Sequence, residues 1–514
     1  MRITKRFRLL AVGLILTVLI SAGSLSGQGP QSEVSTGLIA PGTRWETPWY
    51  VIESREDGPI VLVTGGVHGN EPAGARAAGQ IRHWPILRGT LIVIPRCNVP
   101  GLDAGKRLMP GQPDELENLN RNFPRGGDRA ARGPLAEALW AFIGEWQPRY
   151  VLDLHEGYGF RSAGSDSVGS SIIRTRRQGN KELQTLMLEA VNGSEPEHEF
   201  ARLHGAAEGS LARACSERFE AHAFICETTY KHQPLALRTR QHRIMVHALL
   251  EHLDMAAAGR NCMVQAANPD AGTVRAALYD GPGTSTDRAV PRIERILAGE
   301  KGIILRRVAP ADIREGALEQ FDVVIFGGGS GHGQADGLQA AGRRTVRDFV
   351  GNGGGYVGVC AGAYLATANY AWSLALIDAD SIDRKHWRRG KGQVEIELTP
   401  RGRKFFQRDG PAAFQIYFQN GPILAPADSD DLSPYRVLAR YRTGIGEDGA
   451  DPETMIDTPA IVMGRFGKGR AIAFSPHPDM TDGLEDMLIR AVKEFGNAEK
   501  SVAVLSPQKR AVDP

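Results

Sequence analysis

The sequence predicts an α/β protein with two doubly wound domains, each built on a mostly parallel sheet, and three observations support this fold class. First, 514 residues are too many for one ordinary hydrophobic core. Second, short β-branched runs alternate with helical stretches in both halves, as in sheets covered by helices on both faces. Third, residues 256–272 lack periodicity and contain turn-forming residues, so we predict the linker there.

The first domain is predicted over residues 37–255. Four apolar runs predict strands, and two longer stretches predict helices between them. In chain order the segments are IVLVTGG, AGARAAGQIRHW, TLIVIPRCN, PLAEALWAFIGEW, YVLDLHEG and AFICETTY. Strands that alternate with helices favour a parallel sheet with helical crossovers.

The second domain is predicted over residues 273–496, with a tail at 497–514. The same alternation starts again at VRAALYD. It continues through RAVPRIERILAG, GIILRRV, FDVVIFGGGSG, GLQAAGRRTVRDFVGN, GYVGVCAGAYLA, RAIAFSPHPD and the closing helix DGLEDMLIRAVKEFG. This order predicts a second doubly wound sheet.

Composition excludes several classes of function. With 42% hydrophobic and 23% charged residues, the chain has the balance of a soluble globular protein. Its net charge of +2 gives no reason to expect a nucleic-acid partner, because basic residues cluster only in short runs such as Arg384 to Arg389. The five cysteines form no CxxC pair, so we expect neither a disulfide framework nor cysteine ligation of zinc.

The N-terminus has the layout of a secretory signal, predicted over residues 1–28. Four basic residues lie within Met1 to Arg8, an apolar run follows from Leu9 to Ile20, and small residues come next. We therefore expect a periplasmic or extracellular protein with no stable membrane span after cleavage. The alternative is an uncleaved anchor, although the run is short for a bilayer.

A candidate metal site combines side chains from two strand ends. His68 and Glu71 follow the strand IVLVTGG at a spacing of three, and His155 ends the strand YVLDLHEG. Imidazole nitrogen and carboxylate oxygen are suitable zinc ligands, and three protein ligands leave a position open for water. Asp153, two residues before His155, is expected to orient its imidazole.

Further residues predict the remaining parts of a hydrolase site. Glu227 ends the apolar run AFICETTY, where a carboxylate is costly to bury without a role or a partner. Arg121, beside Asn120 in NLNRNFP, could bind a carboxylate with two hydrogen bonds. Arg107 could supply a second positive group for the substrate carboxylate or for the developing oxyanion. Both arginines could instead be surface charges.

The second domain contains a candidate nucleophile. Cys360 lies at a sharp turn between a strand and a helix, among small residues that permit strained geometry. His477 and Asp479 follow the last strand and could act as base and orienting carboxylate. The glycines of FGGGSG could supply oxyanion donors. Alternatively, the domain keeps this turn but only binds a ligand.

The four ordered motifs HGNEPAG, NLNRNFP, LDLHEG and ICET resemble those of the zinc carboxypeptidase superfamily, in particular its succinylglutamate desuccinylase and aspartoacylase branch. The resemblance implies one zinc ion on His68, Glu71 and His155, with Glu227 as base and later acid. It also implies that Asn120 and Arg121 bind the substrate carboxylate and that Arg107 polarises the carbonyl.

One departure concerns specificity: no Tyr lies between Tyr158 and Tyr230, where digestive carboxypeptidases carry a substrate-facing Tyr before the catalytic Glu. Their specificity therefore does not transfer. The second domain resembles the flavodoxin-like class I glutamine amidotransferase fold, especially the domain at the N-terminus of some biotin–protein ligases. Active amidotransferases usually carry Glu where this chain has Asp479.

The sequence therefore predicts an exported zinc-dependent hydrolase of metallocarboxypeptidase or N-acyl amino acid deacylase type. It is expected to cleave an amide bond near a free carboxylate, using zinc-activated water and Glu227 as general base. Expected substrates are a peptide, a cell-wall fragment or an N-acyl amino acid. The alternatives are a thiol amidase that uses Cys360 and a ligand-binding protein without catalysis.

Overall fold

A computed structural model describes residues 32–162, 164–194, 198–259, 263–264 and 272–496. The predicted signal at 1–28 and the predicted tail at 497–514 lie outside these ranges, as does most of the predicted linker. The chain divides into two compact units, Met1–Met263 and Val264–Pro514. The division between them falls within the stretch 256–272.

The first unit holds eight strands and six helices among its described residues. Its strands are β1 (Ser32–Ile39), β2 (Thr47–Ser54), β3 (Ile60–Gly65), β4 (Thr90–Ile94), β5 (Tyr150–Gly157), β6 (Ser171–Arg174), β7 (Ala201–His204) and β8 (His222–Thr229). Its helices are α1 (Pro72–Ile81), α2 (Val99–Ala104), α3 (Pro134–Trp146), α4 (Asn180–Ser194), α5 (Leu211–Phe219) and α6 (Leu235–His252).

These strands form one sheet in the order β1-β2-β4-β3-β5-β8-β6-β7, whose central strands β4, β3, β5 and β8 are parallel. Helix α1 packs closely on β3 and β5 because two glycines allow it. A Cβ on Gly65 would lie 2.5 Å from the Gly74 carbonyl oxygen, and one on Gly74 would lie 2.4 Å from that of Leu154. This close packing fixes the start of α1 beside the carboxyl ends of both strands.

The second unit contains eleven strands and six α-helices in the part of the chain that is described. The strands are β9 (Val274–Tyr279), β10 (Ile303–Val308), β11 (Val323–Phe326), β12 (Gly355–Val359), β13 (Ala379–Ile382), β14 (Lys391–Leu398), β15 (Ala413–Gln419), β16 (Ile423–Pro426), β17 (Arg436–Tyr441), β18 (Pro459–Phe466) and β19 (Gly469–Phe474). The helices are α7 (Ala289–Ala298), α8 (Pro310–Arg314), α9 (Gly331–Gly351), α10 (Ala361–Ala366), α11 (Pro400–Phe406) and α12 (Glu485–Gly496).

Nine of these strands form a sheet in the order β10-β9-β11-β12-β19-β18-β17-β14-β15. The five from β10 to β19 are parallel, and the remaining neighbours are antiparallel. The α/β class with two domains is confirmed, but both sheets are more mixed than the sequence predicted. The reason is that antiparallel strands flank the parallel centres, namely β1, β2 and β6 in the first sheet and β14, β15, β17 and β18 in the second, where no long crossover helix joins them. None of the described helices is long and apolar enough to cross a bilayer.

Candidate active site

The candidate site of the first unit lies where the parallel strands β3, β5 and β8 end. In the register, Gly65 faces Leu154 and His155 faces Glu227, so the segments that follow β3 and the ends of β5 and β8 meet at one edge. This is the edge at which parallel α/β sheets present functional side chains. His68, His155 and Glu227 are thereby brought together from distant parts of the sequence.

Three buried side chains converge there on one point. The Nδ1 atoms of His68 and His155 lie 3.3 Å apart, and each lies 2.9 Å from an oxygen of the Glu71 carboxylate. Ligand atoms of all three residues lie within 4.8 Å of one another, a grouping that could hold a metal ion. The side chains are at most 4% exposed.

The other nitrogen of each imidazole contacts an oxygen acceptor. Asp153 Oδ2 lies 2.9 Å from His155 Nε2, as the sequence predicted, and Thr64 donates a hydrogen bond of 2.7 Å to the second Asp153 oxygen. Asn118 Oδ1 lies 3.3 Å from His68 Nε2. Such partners fix the ring orientation and the tautomer, so both Nδ1 atoms point to the centre of the cluster.

The charges of the cluster shift the pKa values of its members in opposite directions. Burial disfavours the charged form of Glu71, but the neighbouring His68 and His155 hold the pKa of its carboxyl group well below the usual value. Burial also opposes the imidazolium of His155, yet Asp153 and Glu71 raise its pKa well above the usual value. In the metal-free cluster, a proton on His155 thus supplies the positive charge between the two carboxylates.

Glu227 lies beside the cluster and is 7% exposed. Burial raises the pKa of its carboxyl group to about 8; His155 and Arg107 act against this shift, and Glu71 and Asp153 add to it. A carboxyl group that exchanges a proton near neutral pH is suited to general acid–base chemistry.

The predicted substrate-binding residues differ in their surroundings. Arg107 forms an ion pair with Glu71. Arg121 is exposed, and partial burial together with Arg107 and Arg125 lowers the pKa of its guanidinium. Asn120 is buried: its Oδ1 accepts from the backbone N–H of Leu211 at 3.0 Å, and its Nδ2 lies 3.4 Å from His155 Nε2. Arg121 donates one hydrogen bond to the Asn120 carbonyl oxygen at 2.7 Å but remains exposed to a ligand, whereas the Asn120 side chain lies against His155.

Glu156 and Arg238 also support the cluster, although neither was predicted from the sequence. Glu156 pairs with Arg238 and accepts a hydrogen bond of 2.8 Å from the backbone N–H of Ala73 in α1. A signal for Glu156 existed, because it is a carboxylate next to His155 in an apolar strand. No signal marked Arg238, which lies in the long, almost fully buried helix α6.

In the second unit, Cys360 lies between β12 and α10 with φ 52° and ψ −98°. Positive φ is strained for a residue with a Cβ, and such strain is typical of functional positions. The thiol donates to the Gln419 carbonyl oxygen at 3.3 Å. Cys360 is 7% exposed, whereas the other free cysteines of the described chain, Cys97, Cys215 and Cys226, are fully buried.

His477 and Asp479 lie next to this thiol. His477 Nδ1 is 3.2 Å from Asp479 Oδ1, while its Nε2 has no hydrogen-bond partner among the described residues. Burial opposes a charge on His477, but Cys360 and Asp479 raise its pKa to about 10. A Cβ on Gly328 would lie 3.2 Å from His477 Cε1 and 4.0 Å from Cys360 Cβ, so this glycine leaves room for the pair.

Comparison with protein families gives two matches. Residues 57–256 match the succinylglutamate desuccinylase/aspartoacylase catalytic domain, and residues 275–380 match the N-terminal domain of biotin–protein ligase. The first range includes every candidate residue of the metal cluster together with Glu227. The second includes Cys360 but ends before His477.

Two curated proteins are similar to parts of the chain. An N-alpha-acetyl-L-2,4-diaminobutyric acid deacetylase of Halomonas elongata is 33% identical over 109 residues, which are 21% of this chain and 31% of that protein. A biotin–protein ligase of Schizosaccharomyces pombe is 24% identical over 173 residues, 31% of this chain and 26% of that protein. The chain thus spans about a third or less of the relatives that it matches.

Solved structures with weaker similarity include Helicobacter pylori Csd4, a D,L-carboxypeptidase in its mDAP-bound form. It is 23% identical with a TM-score of 0.34, over 38% of this chain and 51% of that one. A succinylglutamate desuccinylase/aspartoacylase of Rhodobacter sphaeroides is 21% identical with a TM-score of 0.31, over 46% of this chain and 69% of that one.

The motifs, the strand-end geometry and the family matches agree for each unit. The chain therefore carries a hydrolase domain of the succinylglutamate desuccinylase/aspartoacylase catalytic family at residues 57–256 and a domain of the biotin–protein ligase N-terminal family at residues 275–380.

Proposed function

We propose that the protein is an exported zinc-dependent hydrolase that cleaves an amide bond near a free carboxylate. One observation carries the proposal: three ligand atoms of His68, Glu71 and His155 converge, and an outer oxygen orients each imidazole. The predicted secretory signal at residues 1–28 supports export.

The donor set fits zinc. Two imidazole nitrogens and one carboxylate are the ligands of several catalytic zinc sites, in which the fourth position stays open. When bound, zinc lowers the pKa of water and polarises a carbonyl oxygen. His68, Glu71 and His155 hold the ion in this proposal.

The remaining residues transfer protons, stabilise negative charge or bind the substrate. Glu227 takes a proton from the attacking water and later delivers it to the leaving amine, which its position beside His155 supports. Arg107, on the Glu71 carboxylate, is placed to stabilise the oxygen that gains negative charge. Exposed Arg121 binds the free carboxylate of the substrate, with Asn120 behind it.

The substrate class follows from that arginine and from the relatives. An N-acyl amino acid or a short peptide, including one from the cell wall, carries both an amide and a carboxylate. The deacetylase of Halomonas elongata acts on an acylated amino acid according to its name, and the Helicobacter pylori protein is called a carboxypeptidase.

Metal analysis of the purified protein tests the proposal. We expect one zinc ion per chain, loss of hydrolysis in a chelator, and recovery on adding zinc. Glu227→Gln should keep the zinc and lower kcat by about 10²- to 10⁴-fold. Hydrolysis that persists without metal would contradict the proposal.

A second candidate function, a thiol amidase, is favoured by the assembled group of Cys360, His477 and Asp479. Sulfur would attack a carbonyl carbon, and His477, whose raised pKa favours the imidazolium that carries the thiol proton, would give that proton to the leaving amine as the C–N bond breaks. Water would then release the acyl group from sulfur as a carboxylic acid. Chelator-resistant hydrolysis that disappears in Cys360→Ser would establish this activity. If Cys360 reacts with iodoacetamide no faster than the three buried cysteines, the thiol is not activated and this candidate fails.

A further inference from the structure

The helix that follows metal ligand Glu71 begins in an unusual way. Glu71 is the N-cap residue of α1, but its side chain makes no capping hydrogen bond, because both carboxylate oxygens face the two histidines. Pro72 occupies the first helical position and has no N–H group. The first free N–H group of this helix therefore belongs to Ala73.

Glu156, from strand β5, supplies the missing cap. Its Oε2 accepts the hydrogen bond of Ala73 N–H at 2.8 Å, and its own backbone N–H donates to Glu71 Oε2 at 3.1 Å. One residue thus contacts both the ligand carboxylate and the helix that carries it. At 4% exposure, this carboxylate needs a compensating charge.

Arg238, from helix α6, provides that charge. Its Nη1 pairs with Glu156 Oε1, its Nε donates to the Gln233 carbonyl oxygen at 3.2 Å, and its guanidinium lies 5.1 Å from the centre of the Tyr230 ring. Arg238 is itself 6% exposed. These contacts fix the guanidinium on three sides, so it holds Glu156 in place.

We propose that Glu156 and Arg238 are positioning residues that cap α1 from outside and so leave Glu71 free to bind the metal. Without this cap, the open N–H group of Ala73 would compete with the metal for the Glu71 carboxylate, since the side chain of an N-cap residue can accept from its own helix. A Glu71 that turns to its helix leaves the metal site. The inference rests on the proposed zinc function.

Zinc affinity measured by competition with a chelating dye tests this role without using activity. We expect Glu156→Gln and Arg238→Gln each to weaken zinc binding by about 10- to 100-fold, the usual effect of losing an outer partner of a metal ligand. The double variant should bind no more weakly than the worse single variant, because the two residues act as one unit.

Arg243→Gln is the matched control. Arg243 lies in the same helix, is fully buried, and donates to Gln80 rather than to Glu156. It should keep the zinc affinity of the wild type. Arg238→Lys, which keeps the charge but loses the planar geometry, serves if a glutamine variant does not fold, and it should also weaken binding.

The outcomes separate the two proposals. A wild-type chain that binds no zinc overturns the proposed function and this inference together. Suppose that the wild type binds zinc tightly and that the folded Glu156 and Arg238 variants bind it with affinities within about twofold of the wild type. This result overturns only the positioning role. If Arg243→Gln weakens zinc binding equally, the positioning role is also overturned, because the effect would then come from general loosening of α6.

Discussion

His155 in the first unit and His477 in the second are built alike but face different groups. Both are buried at the end of a strand, and in both a carboxylate two residues away contacts one ring nitrogen, with Asp153 on Nε2 and Asp479 on Nδ1. The other nitrogen of His155 lies close to another imidazole and a carboxylate. The other nitrogen of His477 has no hydrogen-bond partner among the described residues, and the Cys360 thiol is the neighbouring group that acts on this ring.

In the proposed functions, the group opposite the second nitrogen sets the role of each buried imidazole. In the first unit, lone pairs of His68, Glu71 and His155 point to one position, which can bind a cation. Without a metal ion, a proton on His155 supplies the positive charge there. In the second unit, the thiol of Cys360 beside the imidazole of His477 permits proton transfer between sulfur and nitrogen.

The largest effect is expected from removing each imidazole in turn. His155→Ala should weaken zinc binding by more than about 100-fold, beyond the loss caused by an outer partner, because a ligand itself is gone. His477→Ala should keep one zinc ion per chain. Zinc content by elemental analysis checks both, and zinc loss in His477→Ala would break the contrast.

Next come the two orienting carboxylates. Asp153→Asn should weaken zinc binding by about 10- to 100-fold, because the amide no longer fixes the imidazole in the same way. Asp479→Asn should leave zinc affinity unchanged and slow the reaction of Cys360 with iodoacetamide. Chelator competition and mass spectrometry of the labelled peptide measure these effects. If Cys360 reacted more slowly with iodoacetamide in Asp153→Asn, the two sites would not be independent.

The pH dependence sharpens the comparison further. Because Asp153 and Glu71 raise the pKa of His155, zinc must displace a proton from the cluster at neutral pH. Its apparent affinity should rise with pH up to that pKa, by up to about tenfold per pH unit for one proton. Calorimetry in two buffers with different ionisation enthalpies counts the protons released. No proton release at pH 7 would contradict the charge assigned to His155.

The smallest effect is expected from Gly328→Ala. The new methyl group would lie 3.2 Å from His477 Cε1, a contact tight enough to displace the imidazole slightly. We expect a few-fold slower labelling of Cys360 and a stability loss of about 1 kcal/mol, at the low end for overpacking. Gly79→Ala, in α1 with open space around the added Cβ, is the control: it should leave the labelling rate unchanged and raise stability by about 0.5–1 kcal/mol, because alanine favours a helix.

The sequence predicted the parts of each site that lie directly after apolar strands. His155 and Glu227 could be placed at one edge because parallel strands end together, and Cys360 could be placed at a turn because its neighbours are small. Arg238 and Asn118 could not be predicted, since a buried arginine in a helix and a loop asparagine have no periodic signal. The antiparallel strands β14, β15, β17 and β18 were missed because only strands separated by long helices were expected, although VEIEL in β14 alternates clearly.

The spacing of the ligands has a consequence for thermal unfolding. His68 and His155 are 87 positions apart, so a bound ion would tie two distant parts of the first unit together. Any ligand that binds only the folded state stabilises it, by about 2.7 kcal/mol at 100 times its Kd. The melting temperature of the first unit should therefore follow the free zinc concentration while that of the second does not. In a compartment poor in zinc, the first unit would then lose this stabilisation, and a larger fraction of it would be unfolded and open to proteolysis.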